Sequence, residues 1–200
     1  MKKIILSTVI MLASVGAYAQ YSVGSINLQP KVGLNISNIT DIGGTDPRIG
    51  LAAGLEAEYQ ISDIFSLSAG AIYSQQGIKA SWTEGNKKIS QTLKLDYINI
   101  PILANVYVAK GFAVKLGIQP GFNVTAKLEH KEKEDGITVK ATGDVEDVKS
   151  VDFSIPVGLS YEYANFQLDA RYNWGVSKVA DDDDEKHSVF QITLGYKFKL

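Results

Sequence analysis

The sequence predicts an all-β protein, an eight-stranded antiparallel up-and-down transmembrane β-barrel with a polar, filled lumen. The first observation is the C-terminal segment, Phe190 to Leu200. There Phe190, Ile192, Leu194, Tyr196, Phe198 and Leu200 share one parity, and Gln191, Thr193, Gly195, Lys197 and Lys199 share the other. A period of two with faces this different marks a strand lying between an apolar and a polar surrounding. The second observation is that seven earlier segments repeat the pattern, joined by connections that alternate short and long. The third is an N-terminal secretory leader.

The leader occupies residues 1–19. Lys2 and Lys3 form a positive n-region, Ile4 to Val15 an apolar h-region, and Ala17-Tyr18-Ala19 a small-x-small cleavage site. Its apolar run is shorter than the roughly 20 residues a bilayer helix needs. Cleavage after Ala19 leaves Gln20 first, and residues 20–200 are read as one barrel domain. No later run is apolar for long enough to span as a helix, so a closed barrel is the remaining way across.

The strands follow in order. The first, Ile26 to Ser37, turns Leu28, Val32, Leu34 and Ile36 outward and Asn27, Gln29, Lys31 and Asn35 inward. The second, Arg48 to Ile61, sets Ile49, Leu51, Leu55 and Tyr59 against Glu56, Glu58 and Gln60. The third runs from Ile64 to Gln76. In the fourth, Leu93 to Val108, both parities carry apolar residues. Asn99 and Asn105 would be costly in lipid, so the set Ile98, Ile100, Ile102 and Val106 is turned outward, and Pro101 marks a place for a bulge. The fifth, Phe112 to Leu128, alternates Val114, Leu116, Ile118, Phe122 and Val124 with Lys115, Gln119, Asn123 and Thr125. The sixth and seventh are Val151 to Tyr163 and Phe166 to Val176, and the eighth closes the ring.

Strands two and three meet at Ser62-Asp63, four and five at Ala109-Lys110-Gly111, six and seven at Ala164-Asn165. The other connections, residues 38–47, 77–92, 129–150 and 177–187, are read as long loops. Short periplasmic turns and long outer loops are the habit of barrels inserted from the periplasm. With eight strands both termini are expected on the periplasmic side. Outward aromatics form two bands. Tyr59, Phe112, Tyr161, Phe166 and Tyr196 stand near the short turns, with Tyr73, Phe122, Phe153, Trp174 and Phe190 toward the long loops. Two such girdles suit two membrane–water interfaces.

Composition narrows function by exclusion. Cysteine is absent, which closes the lipoprotein route, disulfides and thiolate metal sites. The 22 acidic residues outnumber the 20 basic ones, two of which belong to the leader. That balance argues against nucleic acid as a partner.

Candidate chemistry is sparse. Lumen-side Lys31, Glu56, Glu58, Lys115, Glu162, Asp169, Arg171 and Lys197 come close to charge balance and are read as structural ion pairs. His130 and His187 are the two residues that could act as a near-neutral base. His187 lies beside Ser188 and the run Asp181-Asp182-Asp183-Asp184-Glu185, which is read as a solvated loop and not as a triad or a dedicated calcium loop. The run Glu129 to Asp135 is mixed in charge and reads as a solvated loop or a strand extension. No catalytic, cofactor-binding or metal-binding residue is assigned, and no enzymatic activity is expected.

Five segments carry a family resemblance: Pro30-Lys-Val-Gly-Leu-Asn-Ile-Ser37, Leu95-Asp-Tyr-Ile-Asn-Ile-Pro-Ile102, Gly117-Ile-Gln-Pro-Gly-Phe122, Asp152-Phe-Ser-Ile-Pro-Val-Gly-Leu159 and Leu194-Gly-Tyr-Lys-Phe198. In their order and spacing the chain resembles the PorT-like family of small outer-membrane barrels of Bacteroidetes. The Lys199-Leu200 tail departs from barrels that stop at the aromatic. The resemblance implies an outer-membrane barrel, and its namesake's link to protein secretion implies an accessory role in export as one alternative. The main expectation is a structural or surface-interaction barrel in the outer membrane of a Gram-negative cell, with long loops extracellular. A lipid-modifying barrel enzyme is a further alternative, and a small-solute pore is disfavoured by the strand count. Expected partners are outer-membrane lipid, the barrel-assembly machinery during insertion, and a secretion or surface protein of unknown identity.

Overall fold

The computed structural model describes residues 21–200 apart from 41, 135–136, 147 and 180–184. The leader and the acidic run Asp181 to Asp184 therefore lie outside the described residues. The strands are β1 (Ile26–Ile39), β2 (Asp46–Ser62), β3 (Phe65–Glu84), β4 (Lys87–Asn99), β5 (Ile102–Ala109), β6 (Phe112–Glu134), β7 (Ile137–Asp144), β8 (Val151–Tyr163), β9 (Phe166–Gly175), β10 (His187–Tyr196) and β11 (Phe198–Lys199). β4 and β5 are one barrel strand interrupted at Ile100-Pro101, and β10 and β11 are another interrupted at Lys197. The ladder runs antiparallel from β1 through β2, β3, β4/β5, β6, β8, β9 and β10/β11, and β10 and β11 pair back onto β1. Eight strands thus close a ring, and β7 lies outside it, paired to β6 alone.

Closure follows from the alternation. Outward Leu34, Leu55, Leu116, Leu168 and Leu194 are exposed, while inward Asn35, Glu56, Lys115, Gln167 and Gln191 are buried. The ambiguous fourth strand keeps one parity throughout, with Ile98, Ile102 and Val106 out and Tyr97, Asn99, Leu103, Asn105 and Tyr107 in. Pro101 breaks the strand without switching faces. Its carbonyl still accepts the Gly70 N–H at 3.1 Å, and Ile100 donates to the Pro120 carbonyl at 2.8 Å. A parity switch occurs instead in β6. Asp96 pairs with Thr125 but Tyr97 pairs with Asn123, so Val124 is the extra residue of a bulge. Thr125, expected in the lumen, consequently shares the outward face with Asp96.

Two connections read as loops are strands. β3 and β4 pair without a gap from Ile72↔Asn99 to Glu84↔Lys87, and β6 and β7 from Lys127↔Asp144 to Glu134↔Ile137. Residues 77–92 and most of 129–150 thus belong to two long hairpins, which β4–β6 pairing joins into one sheet standing on the rim. β3 has 20 residues and β6 has 23, whereas a spanning strand needs roughly 9–11. The excess in β6 carries the sheet on the order of 30 Å beyond the bilayer. At its root, Gly77 has φ of +123°, and a Cβ there would stand 2.0 Å from the Leu93 carbonyl oxygen, so only glycine fits.

The opposite end is compact. Ala164 and Asn165 have φ of 48° and 69°, the paired left-handed residues of a two-residue hairpin. Above the polar lumen, on the long-hairpin side, Ile39, Ile78, Leu95, Tyr97 and Val179 form a buried apolar cluster, flanked by Ile42, Leu93, Ala126 and Val148. Where inward side chains leave the charged lumen they turn apolar, and the cluster covers that end.

Candidate functional site

The lumen gathers the eight charged residues expected there into two networks. In the first, Lys31 of β1, Lys115 of β6 and Arg171 of β9 surround Glu56 of β2 and Asp169 of β9. Lys31 Nζ lies 3.0 Å from Glu56 Oε1 and 3.4 Å from Asp169 Oδ2, and Lys115 Nζ donates to Asp169 at 2.6 Å. Arg171 donates through Nε to Asp169 at 2.7 Å and through Nη2 to Glu56 at 3.1 Å. β2 and β9 are not neighbours in the ring, so the Arg171–Glu56 contact crosses the lumen. Lys115 and Glu56, 3.7 Å apart, bridge β6 and β2 in the same way. Heads that meet from facing walls leave side chains filling the cross-section.

The second network lies toward the short turns. Lys197 donates to Glu58 at 2.8 Å and Glu162 at 2.9 Å. Ser66 Oγ donates to Glu58 at 2.6 Å, and the Tyr107 hydroxyl donates to the same carboxylate. The Lys197 ammonium stands 5.3 Å from the Tyr21 ring centroid and 5.9 Å from that of Tyr107, close enough for cation–π attraction. One network holds three cations and two carboxylates, the other one cation and two carboxylates. They balance only together. Each charge is buried, which is tolerable because each is paired.

The two histidines separate. His187 opens β10 with 2% exposure and so is not part of a loop; its Nε2 lies 3.0 Å from the Tyr97 hydroxyl, ring edge to ring face. Ser188, the next residue, points to the other face, where its Oγ is 2.7 Å from the Tyr172 hydroxyl. The pair cannot act as base and nucleophile from opposite sides of a strand. His130 sits on β6 above the barrel, 3.1 Å from Glu132 and 3.4 Å from Gln91. Among the described residues no cluster of three His, Cys, Asp or Glu side chains has the arrangement of a metal site.

On the raised sheet the mixed-charge run sorts by strand parity. His130, Glu132 and Glu134 share the barrel-axis face with Trp82, Lys87, Ile89 and Val139, and Glu129, Lys131 and Lys133 share the outer face with Lys79, Lys88 and Lys94. Lys87 pairs with Glu132 at 3.0 Å, and Lys94 donates to Glu129 at 2.7 Å. The hydrogen bond from Lys94 holds the Glu129 carboxyl below its usual range, and His130 and Lys87 do the same for Glu132.

Comparison with known proteins settles the family. The model of the outer membrane protein beta-barrel domain matches residues 18–181. The chain belongs to the outer membrane protein beta-barrel domain family. Among solved structures this outer-membrane barrel is similar to Ail, the attachment invasion locus protein of Yersinia pestis, at 14% identity and a TM-score of 0.50, with 88% of this chain and all of that one covered. It is also similar to Neisserial surface protein A at 15% identity and a TM-score of 0.45, covering 86% and 97%. A third is OprG of Pseudomonas aeruginosa at 13% and 0.38, covering 89% and 97%. No curated protein matches the chain.

Membership in this family explains the apolar exterior of the barrel. Exposed Leu, Ile, Val and aromatic side chains that would be a liability in water face lipid instead. Sequence reasoning placed the lumen charges correctly because they lie on the inward parity. It missed the lysine face of the outer-membrane barrel's raised sheet. The signal was present: Lys127, Lys131 and Lys133 lie at odd positions and Lys88 and Lys94 at even ones, a period of two obscured by treating the segments as loops.

Proposed function

We propose that the protein is a closed outer-membrane barrel that anchors a raised sheet at the cell surface, with a structural or interaction role and neither transport nor catalysis. The observation that carries this reading is the asymmetry of the barrel's ends. Two-residue turns close one end, while strands of 20 and 23 residues rise from the other. Insertion from the periplasm favours short turns on that side, so the sheet points outward and both termini face the periplasm. The ion pairs that bridge the lumen support closure against solutes. In this reading outer-membrane lipid covers the barrel, and the barrel-assembly machinery inserts it.

The test is an epitope inserted at the Gly85-Asn86 turn, compared with one at Ala164-Asn165. On intact cells antibody should reach the first and not the second; the reverse pattern would overturn the orientation. The finer PorT-like assignment rests on the five segments quoted above and carries the alternative of an export accessory. It is distinguished by recovery of a periplasmic or membrane component of a secretion system with the barrel after cross-linking.

A further inference from the structure

We propose that the outer face of the raised sheet is a binding site for the phosphate groups of saccharide-bearing lipids in the leaflet beside it. This rests on the reading that the sheet stands at the outer surface.

The first observation is a depression of about 620 Å³ on that face. Lys79, Lys88, Lys131 and Lys133 line it, with the hydroxyls of Ser90 and Thr92 between them and the Glu129 carboxylate, which Lys94 holds at 2.7 Å, also in the wall. Ammonium and hydroxyl donors converging on one hollow are what phosphate oxygens require. Among the described residues no carboxylate stands within 4 Å of Lys79, Lys88 or Lys133. Arg48 at the margin is already held by Asp96 at 3.0 Å.

The second observation is independent of the hollow. In register, Lys88 lies directly opposite Lys133, Lys94 opposite Lys127, and Lys131 opposite Lys140. Like charges directly across a ladder destabilise a sheet. Glu129 and Asp144 relieve the Lys94–Lys127 pair, through Lys94 at 2.7 Å and Lys127 at 3.9 Å, and Glu129 also lies in the field of Lys131 and Lys140. Lys88 and Lys133 face each other unrelieved. A chain with net charge −2 concentrates cations here, and a multivalent anion bridging the pair would turn repulsion into attraction.

The third observation selects the source. The lysine face continues the lipid-facing parity of β3, β4 and β6, with Lys79, Lys88 and Lys133 farther up the strands than outward Tyr73, Ile98 and Phe122. Lysines that rise from the barrel wall on the lipid-facing side stand among the saccharides that such lipids carry above their headgroups. The barrel-axis face of the same sheet carries Trp82, Ile89, Glu132 and Glu134, and its Lys87 and His130 already contact Glu132 at 3.0 and 3.1 Å, so it is unsuited to anions.

The test uses the folded full barrel in nanodiscs, where both leaflets have the same composition, so its outcome is independent of which end faces outward in the cell. Four samples are compared: phosphatidylcholine alone, phosphatidylcholine with phosphorylated lipopolysaccharide, the same with enzymatically dephosphorylated lipopolysaccharide, and phosphatidylcholine with inorganic polyphosphate in solution. The readout is the rate of amine acylation at Lys79, Lys88, Lys131 and Lys133, with Lys87 on the opposite face as internal control. Phosphorylated lipopolysaccharide should slow acylation of the four several-fold, leave Lys87 unchanged, and lose its effect in high salt. A Lys88→Gln/Lys133→Gln variant should lose the protection at Lys79 and Lys131. Equal rates with phosphorylated and dephosphorylated lipid, or protection that survives the double substitution, would overturn the proposal. Equal protection by free polyphosphate would replace the lipid by a soluble polyanion and overturn it as well.

Discussion

Asp169 concentrates the energetics of the lumen in one side chain. It accepts from Lys115 at 2.6 Å and Arg171 at 2.7 Å and faces Lys31 at 3.4 Å. Replacing it with asparagine keeps the volume but leaves Glu56 alone among three buried cations. Breaking a buried pair from one side costs about 3–5 kcal/mol, so Asp169→Asn should destabilise the barrel by that amount in a reversible urea titration. A loss under about 1 kcal/mol would mean that the lumen is wet enough to screen its charges. Above the membrane the balance differs. Lys94 depresses the Glu129 carboxyl below its ordinary value of 4.5, so the contact stabilises the sheet above that range and is lost as pH falls through the lowered value. Amide protection factors at the β4–β6 ladder, corrected for the intrinsic pH dependence of exchange, should therefore be higher at neutral pH than in acid below the carboxylate range. An increase in protection on acidification would contradict the pairing.

The long strands meet two different surroundings along their length, and substitutions should report where the change occurs. Leu116 on β6 and Val139 on β7 are similarly exposed, at 55% and 59%. Leu116 faces lipid, so Leu116→Arg should cost about 2–4 kcal/mol near the midplane. Val139 faces water, so Val139→Arg should stay within about 0.5 kcal/mol. Unfolding both variants in lipid vesicles decides this, and equal costs would refute the placement of β7 outside the membrane. The raised hairpins are also separable from closure. Replacing Ala80 to Gln91 with Asn-Gly rejoins β3 and β4 above the apolar cluster, and the shortened chain should still fold into a heat-modifiable barrel. The same change of surroundings sets what the sequence disclosed. In β1, β2, β8 and β9 one face meets lipid and the other a charged lumen, and the alternation is unmistakable. In the tops of β3 and β4 and in all of β7 both faces meet water, so the apolar signal vanishes and strands read as loops; all of β7 is exposed. The lumen charges were legible by parity, but their partners were not, since Arg171 and Glu56 meet across the ring from strands far apart in sequence. His187 was hidden by the misread loop before it, and the parity switch at Val124 by a bulge that no glycine or proline announces.

At the scale of the whole molecule, the ring supplies a scaffold of backbone hydrogen bonds satisfied without water, and its lumen is given over to ion pairs. The raised sheet combines a cationic outer face with a partly apolar inner one. The three levels meet in the lumen. Its charges balance only when both networks are present, they hold opposite walls together, and they leave the long-hairpin end to an apolar cluster centred on Leu95 and Tyr97. Electrical recording of the purified barrel in planar bilayers tests this most directly. A closed lumen should give no reproducible conductance steps under sustained voltage, in either orientation, in the unmodified protein. Uniform, long-lived steps of a single size, retained when the protein is repurified, would show an open path through the ring and contradict the bridging of its walls by Arg171, Lys115 and Glu56.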